Sequence, residues 1–198
     1  DVITANTTDA LATTDKLAVN AGDGTADVLV IAETVDINTA ADGARYTNFE
    51  IARTNDSLNM ANISVGALQI TGGTSKAYTG MTATQAANVT FLGDNTTATT
   101  FALATATGSS DALTLNLSSA TATTNVDVSG LAIDNFESLT VNATTGTNVD
   151  GTWADGGTSD ITIGSASTLT SLTITGSQGV SITTGANITK AVTIDASA

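Results

Sequence analysis

The sequence predicts an all-β fold of short, stacked parallel strands, a right-handed parallel β-helix or β-solenoid. Three observations lead there. Apolar residues alternate with Thr, Ser and Asn in groups of two or three, as at Leu113, Leu115 and Leu117. Gly, Asn and Asp interrupt these groups at short intervals, while Pro and Cys are absent. Short strings also recur along the chain, and repetition is read before any single element.

The recurring unit is clearest from Gly108 to Val141. It opens with Gly108-Ser109-Ser110-Asp111, runs through the alternating leucines, and closes on Asn135-Phe136-Glu137 before Leu139 and Val141. Its opening returns as Gly24-Thr25-Ala26-Asp27 and as Gly157-Thr158-Ser159-Asp160. Its close returns as Asn48-Phe49-Glu50, and Ser138-Leu139-Thr140-Val141 is echoed by Ser171-Leu172-Thr173-Ile174.

Taken in order, the opening segment is weakly patterned until Asp15 to Asn20, which reads as a strand. Val28 to Ile31 is a continuous apolar run of the kind found in strands covered on both faces. Val35 and Ile37 extend it or begin another strand, and residues 39–47 read as a short helix or a loop. Four short strands are then expected at Phe49/Ile51, Leu58/Met60, Ile63/Val65 and Leu68/Ile70. Residues 76–87 are the least strand-like and suggest a helical or loop insertion. Val89 to Leu92 restores the pattern, and Phe101 with Leu103 continues it. From Asp160 onward, apolar pairs fall at Ile161/Ile163, Leu172/Ile174, Val180/Ile182 and Val192/Ile194, with Gly between them.

No such strand buries enough to stand alone. An equivalent strand stacked about 4.8 Å away pairs its backbone and continues its apolar stripe. Thr serves both faces, being β-branched and polar. Alternate pairs near the C-terminus lie about 20 residues apart, a short solenoid period. At that period the chain makes roughly ten coils and a rod about 45–50 Å long. One or two β-sandwich domains are the alternative, since short strands with frequent turns also suit that fold. Residues 1–107 form the irregular β-rich part and residues 108–198 the more regular repeats.

Composition narrows the function. Five Lys+Arg stand against 19 Asp+Glu, a net charge of −14. Nucleic acid is excluded as a partner, because its phosphates need a basic surface. Such acidity destabilises a compact chain by self-repulsion, which salt or divalent cations relieve. The absence of Cys removes disulfides and thiolate metal sites. The absence of His removes the usual base of a nucleophilic triad. No apolar stretch is long enough to cross a bilayer. The first residues carry no Met start and no basic leader, so the sequence reads as a mature chain or a piece of a longer one.

The strings GDGTADVLV (22–30), GSSDALTLNL (108–117), DNFESLTV (134–141), GGTSDITI (156–163) and TSLTITG (170–176) are similar to repeats of bacterial surface-layer proteins of the type I-secreted, RTX-related kind. Repeats of this style occur in the S-layers of Caulobacter and Campylobacter and in related large adhesins. The chain departs from the RTX nonapeptide in having an extra residue between Gly24 and Asp27, and no tandem run of nonapeptides. The resemblance implies a secreted, calcium-stabilised β-helical rod on the cell surface, self-assembling into a two-dimensional lattice. It implies no enzymatic activity. Partners expected are copies of the same chain, with a cell-surface polysaccharide as a second candidate.

Calcium takes six to eight oxygens, which carboxylates and turn carbonyls supply. Asp23 and Asp27 flank one lead-in to a strand, Asp155 and Asp160 flank another, and Asp111 holds the equivalent place between. These five are the expected calcium ligands; the plainer reading makes them turn residues bonded to local N–H groups. Glu50 and Glu137 share the Asn-Phe-Glu context, and a catalytic carboxylate pair ranks below a repeated structural role. Trp153, in a Gly-rich loop, suits sugar stacking or an end cap. A stalk or ligand-binding segment of a large adhesin is the alternative function, and a β-helical polysaccharide lyase or hydrolase ranks last.

Overall fold

The computed structural model describes residues 1–5, 18–118, 126–145, 158–177, 179–190 and 192–196. Seventeen strands lie among them. They are β1 Val2–Ala5, β2 Val19–Asn20, β3 Val28–Ile31, β4 Tyr46–Thr47, β5 Ile51–Thr54, β6 Leu58–Asn59, β7 Ala67–Ile70, β8 Lys76–Met81 and β9 Val89–Phe91. Then follow β10 Thr99–Leu103, β11 Ala112–Ser118, β12 Val128–Ala132, β13 Ser138–Thr145, β14 Thr158–Ser165, β15 Ser171–Gly176, β16 Gly179–Asn187 and β17 Thr193–Asp195. Two single-turn helices, α1 Ala40–Gly43 and α2 Ala83–Ala86, sit at corners.

The odd-numbered strands form one nine-stranded sheet in chain order, β1 to β17. The even-numbered strands β6 to β16 form a second, six-stranded sheet, and β2 pairs with β4 in a third. From β5 onward the chain therefore visits the two large sheets in turn. Every strand pairing among the described residues is parallel. The protein is all-β, with parallel sheets of many strands, an arrangement compatible with a β-helix. A sandwich would instead be built from antiparallel pairs.

Register explains the repeated strings. Ser138, Leu139, Thr140 and Val141 lie opposite Ser171, Leu172, Thr173 and Ile174 in adjacent strands. The echo in the sequence is thus a stack in space. Leu113, Leu115 and Leu117 are fully buried and stand over Leu139, Val141 and Ala143. The core is a continuous column of such positions, filled at its centre by Phe91, Phe101, Phe136 and Tyr78. Tyr78 stacks on Phe101 at 5.4 Å between ring centroids, and Phe91 meets Phe101 edge-on at 6.2 Å.

Several expectations are corrected. Near the C-terminus stacked residues are about 20 apart as expected, Ile161 opposite Ile182 and Leu172 opposite Ile194, but the interval is not steady along the chain. Arg53 bonds Gln69, 16 residues on, whereas Asp94 bonds Asp127, 33 residues on. Residues 76–87 are not an insertion: β8 occupies the first half of them, and only α2, over Ala83–Ala86, is helical as expected. Gly80, at φ +64, breaks the two-residue alternation, so Tyr78 and Met81 both point into the core and the register with β10 shifts beside them. Thr34–Ile37 forms a 3-10 turn rather than a strand, and Ile63 and Val65 lie in irregular chain after the 3-10 turn Met60–Asn62. The opening segment contributes β1, which pairs with β3.

Local chemistry closes the two helical corners. Thr39 accepts from Asp42 N–H while the Asp42 carboxylate accepts from Thr39 N–H, at 3.2 and 3.0 Å. Thr82 and Gln85 repeat the exchange at 3.2 and 2.8 Å. Each is a reciprocal capping box, which satisfies two N–H groups at the helix start.

Candidate functional site

Acidic side chains sort by position. Among the described residues, all but Asp160 and Asp195 lie outside the strands, at corners and turns. Three groups of them follow different geometries.

The first group explains the Gly-x-x-Asp and Asn-Phe-Glu strings together. Asp27 precedes β3 and Glu50 precedes β5, so they stack. Glu50 Oε2 accepts from Asp27 N–H at 2.8 Å, and the N–H groups of Glu50 and Ile51 both donate to Asp27 O at 3.1 Å. The same set recurs at β11 and β13: Glu137 Oε2 accepts from Asp111 N–H at 2.9 Å, and Glu137 and Ser138 donate to Asp111 O. The glycine of the string leaves room for the Asp side chain. A Cβ on Gly24 would sit 2.2 Å from Asp27 Oδ2, and one on Gly108 would sit 3.1 Å from Asp111 Oδ1. Phe49 and Phe136 bury beneath each Glu.

The second group is a ladder on the six-stranded sheet. Asp127 N–H donates to Asp94 Oδ1, and Asp160 N–H donates to Asp127 Oδ1, both at 3.0 Å and both 33 residues apart. Asp160 therefore belongs here. Its Gly-x-x-Asp string is not a third copy of the first two, which lead into the other sheet.

At the third position, Asp134 ties down the following corner. Its carboxylate accepts from the Ser165 hydroxyl and, at 3.1 Å, from Ser167 N–H; its main-chain oxygen accepts from the Ser167 and Thr168 hydroxyls. The Ser165 hydrogen bond holds this carboxyl below the usual Asp range; burial opposes it, and the bonds from Ser167 add to the lowering.

The four expected ligands among the described residues, Asp23, Asp27, Asp111 and Asp160, are not brought together. Asp23 is exposed in the turn before β3, and Asp27 is buried at 4% exposure with Oδ2 unpartnered. Asp111 stands on β11's lead-in, Asp160 on β14, and Asp155, like Trp153, lies outside the described residues. Among the described residues, no three acidic side chains form a group that could hold a metal ion. The described aspartates are dispersed: Asp27 and Asp111 lead into the nine-stranded sheet, and Asp160 lies on the six-stranded one. Glu50 and Glu137 are likewise separate. Four strand steps divide them, about 19 Å at 4.8 Å each, beyond the roughly 6.5–9.5 Å of an inverting glycosidase pair.

A cavity of about 550 Å³ lies between α1, the 3-10 turn at Met60 and α2. Its polar lining already serves the fold: Gln85 Nε2 donates to Val65 O, Asn62 Nδ2 to Ile37 O, and Asn48 Nδ2 to Asn20 Oδ1. Sequence reasoning missed Asp94, Asp127 and Asp134. The signal was available, since the 33-residue interval from Asp94 to Asp127 to Asp160 equals that from Ser138 to Ser171. No family model, no curated protein and no solved structure matches the chain.

Proposed function

We propose that this chain is a structural segment of a bacterial surface layer. In this reading it is a right-handed parallel β-solenoid, and copies of it meet through their faces and ends in a two-dimensional lattice outside the cell. One observation carries the reading: two large parallel sheets, visited in turn, are stacked in register by carboxylates that bond the next turn's backbone. A chain in which Glu50, Glu137, Asp94, Asp127 and Asp134 each bond an adjacent turn is held in register along its length. Exposed carboxylates such as Asp23 remain for contacts outside the stack. Calcium enters the proposal between chains, where carboxylates of neighbouring copies can share a cation and relieve the repulsion of a net charge of −14.

Electron microscopy of the purified chain with millimolar calcium, and again with chelator, tests it. Ordered arrays that dissolve on chelation are expected. Monodisperse particles under both conditions would overturn the lattice reading and favour the stalk of a large adhesin.

A further inference from the structure

The outer face of the nine-stranded sheet differs from the rest of the molecule. Alternate residues of each strand point inward to the core, and their neighbours point out. From β1 through β15 the outward positions carry no carboxylate at all, in a chain with 19 acidic residues. The first acid on the sheet is Asp195 on β17, opposite Thr173, and the one charge before it is Arg53, whose Nε donates to Gln69 at 2.8 Å.

The face is also regular. Thr114, Thr140 and Thr173 stand opposite one another on β11, β13 and β15, all half-exposed. Beside them run Asn116, Asn142 and Thr175, in which Asn142 Nδ2 donates to Asn116 Oδ1 at 3.1 Å. The three Thr hydroxyls of the first row take no part in hydrogen bonds among the described residues. β-Branching restricts their χ1, so little rotamer freedom is lost when a ligand engages them.

We infer that this acid-free strip binds an extended, neutral polysaccharide lying across the strands. This goes beyond the lattice reading and does not depend on it. Shape favours a linear polymer. Eight strands at about 4.8 Å give a strip about 34 Å long, and two or three side-chain columns about 7 Å apart make it narrow. Its area, on the order of 400 Å², is about half of the 800 Å² per partner that a stable protein pair buries. Charge favours a neutral one. The strip is bordered by acidic corners such as Asp111 and Glu137, which repel a polyuronate. Its hydroxyls and amides, concentrated on β9 to β15, donate and accept as sugar hydroxyls do, while β3 to β7 present mainly Val30, Ile51 and Ala67.

Affinity electrophoresis through gels containing hydroxyethylcellulose, xylan or mannan, with alginate as the acidic control, tests the assignment. The protein is expected to be retarded by at least one neutral polymer and not by alginate. Thr140→Glu, which sets a carboxylate in the middle of the strip, should weaken retardation at least about fivefold. Thr140→Val keeps the β-branched shape, removes only the hydroxyl, and should weaken it less; circular dichroism establishes that both variants fold. Retardation by none of the neutral polymers, or retardation unchanged in Thr140→Glu, overturns the inference. So does concentration-dependent self-association in sedimentation that Thr140→Glu abolishes, an outcome that assigns the strip to a second copy. Array formation in the microscope is a separate readout, so either proposal can fail alone.

Discussion

The turns that carry β3 to β9 and those that carry β11 to β15 solve the same problem differently. In the first region, strands of two to six residues are joined by compact corners that hold themselves: α1 and α2, each with its capping box, and the 3-10 turn at Met60. In the second, strands run from five to eight residues and the corners are held by the turn beside them. Asp94 caps Asp127, Asp127 caps Asp160, and Asp134 binds Ser165 and Ser167. Local closure leaves a corner tied to its neighbours by few bonds, such as Gln85 Nε2 to Val65 O and Asn62 Nδ2 to Ile37 O; stacked closure makes each turn's order a condition for the next. In a stacked protein, stability is approximately the sum of intrinsic terms and neighbour terms, and the two regions weight those terms oppositely.

The largest test of the contrast removes one aromatic from each. Phe136 is fully buried, and Phe136→Ala should cost about 3–5 kcal/mol in urea unfolding. Phe49→Ala should fall at or below the lower end of that range, because Tyr46, edge-on at 6.4 Å, can move into the space. A larger loss for Phe49→Ala would contradict the view that the first region adjusts locally.

Next in size is the glycine of the shared string. Gly24→Ala drives a methyl against a carboxylate that is itself buried, and should destabilise by about 1–3 kcal/mol. Gly108→Ala meets a half-exposed Asp111 at 3.1 Å, which can yield by a few tenths of an ångström. There the reduced freedom of the unfolded chain should leave stability unchanged or raised by up to about 1 kcal/mol. Equal losses at both positions would show that the two copies are the same environment after all.

The Glu that follows each string gives a smaller effect. Glu137→Ala removes the acceptor of Asp111 N–H and should cost about 1.5 kcal/mol. Glu137→Gln keeps a carbonyl oxygen and should recover most of it. Glu50 in the first copy should behave alike, since its bond to Asp27 N–H is equivalent. If Gln does no better than Ala in either, the carboxylate acts through its charge elsewhere and not as a backbone cap.

How much of this the sequence disclosed follows from the same contrast. Where alternation is unbroken, as at Leu113 to Leu117 and at Ile161 and Ile163, strand and inward face were legible, because period two has one structural meaning. Where a bulge interrupts it, as at Gly80, the pattern Tyr78 and Met81 looked helical or irregular although both side chains are core. The Asn-Phe-Glu and Gly-x-x-Asp strings were legible as repeats, but their bonds were not, since each Asp N–H finds its Glu 23 or 26 residues away. Asp160 shows the limit most clearly. Its string matches those of Asp27 and Asp111, and only the sheet it joins tells them apart.

The smallest expected effect concerns pH, and there the regions should fail at opposite ends. Both tyrosines, Tyr46 and Tyr78, belong to the first region. Burial, with the charge of Asp56 adding to it, pushes the Tyr78 pKa well above its ordinary value. Burial raises Tyr46 too, against the opposing pull of Arg45. A folded-state pKa above the unfolded one leaves the stabilisation intact below about pH 10 and removes it as pH rises further, because the unfolded chain ionises first. Tyr78→Phe should therefore flatten the loss of stability above that pH. At neutral pH it should be neutral or slightly stabilising, since the Tyr78 hydroxyl is buried without a partner. Asp134 in the second region works the other way: its carboxyl is depressed, so its contribution is present above about pH 4 and lost as pH falls through the folded value. Asp134→Asn should flatten the acid side and leave the alkaline side untouched. Chemical denaturation across pH, with both variants, reads the two slopes independently. If Tyr78→Phe leaves the alkaline slope unchanged, or Asp134→Asn the acid one, then burial of the phenol or the Ser165 bond does not set that limb.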